Sequence, residues 1–158
     1  MGVMTGRFRT SDQQQWHFPC DVNSVWEEVK GQWNWWMTLE PLVTTDETIA
    51  LNKAIGEHDV YFITSRPRTR GLSAEQQTRH WLTSIGLHAA HASVIATRTG
   101  SKGALCTALD IEAMLEDCPA NLEDLWHHGI QTIARSQPYN LSWEYRVENV
   151  KEFLEEIS

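Results

Sequence analysis

From about Thr44 onward the apolar positions follow two periods that alternate along the chain. Asp59-Val-Tyr-Phe-Ile63, Ser93-Val-Ile-Ala96, Ile111 to Leu115 and Ile130 to Ala134 are short runs with little polar interruption, as expected of strands covered on both faces. Between them, apolar residues recur at helical spacing. Thr44-Thr45-Asp46-Glu47 has the form of a capping box, in which the Thr44 hydroxyl and the Glu47 carboxylate each satisfy a backbone N–H. It predicts a helix that buries Ile49, Leu51, Ala54 and Ile55 and stops at Gly56. Ser73-Ala74-Glu75-Gln76 is a second box, leading into Trp81, Leu82 and Ile85 and closed by Gly86. Pro119 suits the first turn of a helix through Leu122, Leu125 and Trp126 that ends at Gly129, and a last helix from about Glu148 carries Val150, Phe153, Leu154 and Ile157. The resulting β-α-β-α-β-α-β order predicts a mainly parallel sheet with right-handed crossovers, in a three-layer α/β/α sandwich.

The N-terminal part has another texture. Residues 1–43 are polar and rich in tryptophan, with Trp16, Trp26, Trp33, Trp35 and Trp36 out of the chain's eight. Residues 44–158 form the α/β core, and no repeat, low-complexity tract or Pro/Gly linker separates the two parts. Val25, Trp26 and Val29 predict a helix there, with Asp21-Val-Asn23 as the turn before it.

Charge narrows the range of functions. Thirteen Lys and Arg against 21 Asp and Glu give a net −8 in 158 residues. No basic stripe could displace counterions from a duplex nucleic acid. No apolar run approaches the roughly 20 residues of a membrane span, and the start lacks the apolar centre of a signal peptide. Cys20, Cys106 and Cys118 show no CxxC spacing and read as free thiols in the cytoplasm. His88 with His91, and His127 with His128, bring no third ligand for zinc.

Ligand sites in parallel sheets lie beyond the carboxyl ends of the strands, which makes the residues after each run the candidates for chemistry. After the first stands Thr64-Ser65-Arg66-Pro67, two hydroxyls and a guanidinium suited to an anion. After the second, Lys102 opens a helix, where the backbone dipole and the ammonium both favour an anion. After the third, Glu116 and Asp117 could hold a hard cation such as Mg²⁺, and Asp117 could equally cap the helix that Pro119 begins. Thr64, Lys102 and Asp117 should converge on one edge of the sheet, where a phosphate could sit beside a metal ion.

These residues resemble the motifs of the haloacid dehalogenase superfamily of phosphohydrolases. Val60-Tyr-Phe-Ile-Thr64-Ser65-Arg66-Pro67 is similar to its second motif, Lys102 to its third-motif lysine, and Ala113-Met-Leu-Glu116-Asp117 to its acidic fourth motif. Trp36-Met-Thr-Leu-Glu40-Pro41 and Asp117-Cys-Pro-Ala-Asn121-Leu-Glu resemble the deoxyribonucleotidase-like branch. The resemblance implies phosphate binding by Thr64, Ser65, Arg66 and Lys102, Mg²⁺ at Asp117 and Glu116, and a cap remnant in residues 1–43. The family's first motif, a central strand followed by Asp-x-Asp, lacks a counterpart before the cap segment. Asp21-Val-Asn23 is the one remnant, and the amide of Asn23 cannot serve as the acid. Three functions follow: an impaired hydrolase that binds a phosphorylated small molecule such as a nucleotide, an active Mg²⁺-dependent nucleotidase using Asp21 or a partner-supplied nucleophile, or an interaction protein. In the last, the tryptophan-rich region docks a protein partner or a second copy.

Overall fold

Strands form where apolar residues run together, and helices begin where the sequence supplies caps. The computed structural model describes residues 22–158. In chain order these are α1 (Val22–Gly31), a 3-10 turn (Trp35–Met37), α2 (Thr45–Glu57), β1 (Tyr61–Thr64), α3 (Ala74–Ser84), a second 3-10 turn (Ala89–His91) and β2 (Ser93–Ala96). Then come α4 (Lys102–Ala108), β3 (Ala113–Glu116), α5 (Pro119–His127), β4 (Gln131–Arg135), β5 (Arg146–Val147) and α6 (Val150–Glu156).

Both capping boxes close. Glu47 N–H donates to Thr44 Oγ1 at 3.3 Å and Thr44 N–H to Glu47 Oε2 at 2.8 Å. Ser73 and Gln76 repeat the exchange at 3.2 and 3.0 Å. Pro119 opens α5, and Gly86 and Gly129, with φ of 88° and 74°, lead the chain away from α3 and α5.

The helical stripes differ from expectation in three places. Ile49 is 62% exposed, because it lies two residues, about 200° of helix rotation, from Leu51. The buried face of α2 is Glu47, Leu51, Ala54 and Ile55, and the helix runs through Gly56 to Glu57. Trp126 is 63% exposed, since the inner face of α5 is Asn121, Leu122 and Leu125. Ile157 lies beyond α6 and is also exposed.

All strand pairs are parallel, as the alternation requires. β1 pairs with β2, setting Ile63 opposite Ile95 and Thr64 opposite Ala96. β3 pairs with β4, setting Glu116 opposite Ala134, and β4 pairs with β5. β3 starts later than the apolar run, because Ile111 N–H turns back to Cys106 O at 2.9 Å and closes the end of α4. β5, two residues long, is too short to leave a periodic signal. Among the described residues β1 and β3 do not pair, so the strands form one sheet of two and another of three.

Alternate residues of these strands feed two apolar clusters, as the period of two dictates. Phe62 and Leu115 pack with Leu51, Ile55, Trp81, Leu82, Ile133 and Phe153, from α2, α3, β4 and α6. Their neighbours Ile63 and Met114 pack instead with Cys106, Leu125 and Ile130. The molecule is an α/β protein whose two sheets share both clusters.

Candidate functional site

The carboxyl ends of β1 and β3 are joined by one side chain. Lys102, the first residue of α4, is 2% exposed. Its Nζ donates to Ile63 O at 3.1 Å and, in a short contact, to Glu116 Oε2. A lysine ammonium has three protons, and among the described residues these two are engaged. The acceptors lie immediately before Thr64 and Asp117 in the chain.

Glu116 is fixed by everything around it. Oε1 accepts Asp117 N–H at 3.1 Å and Cys118 N–H at 3.0 Å, while Oε2 accepts Asn121 Nδ2 at 3.2 Å as well as Lys102. Four donors fill the acceptor capacity of one carboxylate. Asn121 Oδ1 in turn accepts Gly100 N–H at 3.0 Å, tying the loop after β2 to α5. Glu116 thus orients Lys102, and its expected place beside Asp117 as a cation ligand is taken by these contacts.

Asp117 faces another loop. Its Oδ2 accepts the Tyr139 phenol at 2.5 Å, and its carbonyl accepts Asn140 Nδ2 at 2.9 Å. Among the described residues no group of three or more His, Cys, Asp or Glu side chains could hold a metal. Mg²⁺ requires a near-octahedral shell of oxygens. A pair in which one carboxylate is filled by donors and the other is held by a phenol does not fit that demand.

Arg66 departs from its expected role as a phosphate ligand. The guanidinium is 5.1 Å from the Trp36 ring and 5.7 Å from the Trp81 ring, and Nη1 donates to Thr78 Oγ1 at 3.0 Å. Its broad, weakly hydrated face suits stacking, so α3 and the Trp36 turn draw it inward. Burial pulls its pKa down to about 10, which leaves it charged at neutral pH. Trp36 is held there by its indole N–H on Pro67 O at 2.9 Å and its backbone N–H on Gln77 Oε1 at 3.1 Å.

Thr64 lines a small recess with Arg66, Thr78 and Trp81. Next to it, the Ser65 hydroxyl is buried without a hydrogen-bond partner among the described residues. Asp21 lies outside the described residues; α1 forms where a helix was expected but already starts at Val22, so Val22 and Asn23 are helical rather than part of the turn expected before it. His88 and His91 are exposed. The tryptophans divide: Trp33 is 69% exposed, whereas Trp36 is buried. Sequence reasoning gave Asn121 no role and passed over Tyr139 and Asn140; only a polar residue just inside a helix start and a Gln-Pro-Tyr-Asn turn after β4 mark them.

Comparisons with family models, curated proteins and solved structures return no match for this chain. Among the described residues no helix is long and apolar enough to cross a membrane.

Proposed function

We infer that this chain is a haloacid-dehalogenase-like, phosphatase-related domain that binds a phosphorylated small molecule such as a nucleotide and hydrolyses it poorly. The observation that carries this reading is the Lys102 ammonium drawn between the carboxyl ends of β1 and β3, with Glu116 and Ile63 orienting it. Its third proton and the Ser65 hydroxyl are the donors offered to a phosphate oxygen, with Thr64 beside them. A buried hydroxyl without a partner is unfavourable in the fold and is relieved by an acceptor.

The wider arrangement supports the same reading. The family's first strand is central, and the break between β1 and β3 is where such a strand would lie. Two clusters fed by alternate residues suit helices on both faces, hence three layers. Buried free thiols at Cys106 and Cys118 suit a reducing cytoplasm. Poor hydrolysis follows from chemistry: an aspartyl-phosphate needs a carboxylate nucleophile and a nearby acid, and the amide of Asn23 cannot be that acid.

Titration calorimetry of the full chain with inorganic phosphate and with a deoxyribonucleoside monophosphate tests this. Saturable binding of at least one is expected. Ser65→Ala should weaken it about fivefold, the worth of one hydrogen bond, while leaving the melting temperature unchanged or slightly higher. No binding of either, or an unchanged affinity in the variant, overturns the proposal. Turnover of the nucleotide that disappears in Asp21→Asn would replace it with the active-hydrolase reading.

A further inference from the structure

Asp117 is the carboxylate that the preceding reading leaves without a task. Two consecutive residues of the segment between β4 and β5 grip it: Tyr139 holds its side chain and Asn140 its backbone carbonyl. Asn140 is 1% exposed and organises the segment around itself. Its Nδ2 also donates to Arg135 O at 2.8 Å, and its Oδ1 accepts Gln137 N–H at 2.9 Å. Its carbonyl accepts Trp143 N–H at 3.0 Å, while Ser136 N–H donates to Val147 O at 2.8 Å and closes the base of the loop.

We propose that Tyr139 and Asp117 form a clasp that fixes residues 136–145 against the carboxyl end of β3, and that phosphate is bound here without a divalent cation at the acidic pair. The second half rests on the phosphate-binding reading above; the clasp stands on its own geometry. A phenol at 2.5 Å from a carboxylate oxygen is at the short end for a charge-assisted bond. A cation on Asp117 Oδ2 would have to expel that phenol. To gain the neighbouring carboxylate, it would also have to draw Glu116 from Lys102, two backbone N–H groups and Asn121. The Lys102 charge is paired with Glu116, and both carboxylates serve as internal acceptors. Tyr139 is therefore a positioning residue, acting on the ligand through the loop it holds.

Three measurements on the full chain decide the matter. In hydrogen-exchange mass spectrometry, Tyr139→Phe should speed exchange across residues 136–145 about tenfold and leave α2 unchanged. In electron paramagnetic resonance, Mn²⁺ added alone should show no saturable binding. In calorimetry with inorganic phosphate, the affinity should be the same in EDTA and in Mg²⁺. Asp117→Asn keeps an oxygen for the phenol and removes a negative charge, so phosphate affinity should hold or tighten up to about threefold. A cation-ligand role predicts the opposite sign. Unchanged exchange in Tyr139→Phe overturns the clasp. Saturable Mn²⁺ binding lost in Asp117→Asn, or a tenfold tightening of phosphate by Mg²⁺, overturns cation independence. If phosphate binds under no condition, the functional reading fails, while the exchange and Mn²⁺ measurements still decide the clasp and the cation.

Discussion

Cys106 shows how position alone sets a side chain's chemistry. It sits in the cluster with Ile63, Met114 and Leu125, fully buried. Burial pushes its thiol above the ordinary value of 9.0, and Lys102 pulls in the opposite direction without prevailing. In the unfolded chain the same thiol ionises at lower pH. The stability it contributes is therefore fully present below pH 9.0 and is lost as pH rises through the folded-state value. Urea denaturation of wild type and Cys106→Ala should show a wild-type advantage that is constant up to about pH 9 and shrinks as the pH rises beyond it. A constant difference would mean that the thiol does not feel its burial. Arg66 carries the same lesson with the opposite charge. Its place after an apolar strand suggests a ligand, but two indole faces and the Thr78 hydroxyl take it inward. No local pattern encodes the approach of Trp36 from a segment thirty residues away in sequence.

At the scale of elements, the segment joining the N-terminal helix to the core is fastened by backbone. Asn34 N–H donates to Arg70 O at 2.8 Å, Arg70 N–H to Gln32 O at 3.1 Å, and Leu72 N–H to Asn34 Oδ1 at 2.8 Å. Gly71 makes this possible: its φ is 95°, and a Cβ there would meet Asn34 Oδ1 at 2.2 Å. Gly71→Ala must both strain the backbone and expel an amide that is already bonded. It should cost about 2–4 kcal/mol and shift tryptophan emission to the red as Trp36 loses its seat. A loss below about 0.5 kcal/mol would show that this fastening is slack.

The elements themselves were largely legible in the sequence. Both capping boxes, Pro119, Gly86 and Gly129 mark helix ends through chemistry confined to a few adjacent residues. Ser93–Ala96 is the strand its pattern predicts. Ile49 and Trp126 were misjudged because hydrophobicity says that a residue could be buried, whereas rotation about the helix axis decides whether it is. β5 is too short to leave a pattern, and the turn that carries Tyr139 and Asn140 does not reveal their partner, Asp117, which lies more than twenty residues earlier in the chain.

At the scale of the molecule, the question is what joins a two-stranded and a three-stranded sheet. Shared apolar clusters supply most of the adhesion, and Lys102 with Glu116 adds one polar tie between the strand ends. Lys102→Met or Glu116→Gln alone leaves a buried group without its partner and should cost about 3–5 kcal/mol. The double variant should lose less than the sum of the two, a coupling measurable by chemical denaturation. Additive losses would show that the two groups act independently. The candidate residues were chosen for a related reason: a residue placed just after a parallel strand lies at the sheet's carboxyl edge by topology, whatever its side chain does. What each side chain does there depends on its neighbours, and the roles of Glu116 and Asp117 could be read only from them.

The Lys102 tie has a consequence for kinetics. Its ammonium reaches Ile63 and Glu116, 39 and 14 residues away, only after β1 and β3 are both in place. A contact that must wait for two distant segments is expected to form after the main barrier to folding, and a chevron plot of Lys102→Met with most of its change in the unfolding arm would show it. It therefore acts as a brake on opening, and its loss shortens the lifetime of the native state more than it delays the return to it.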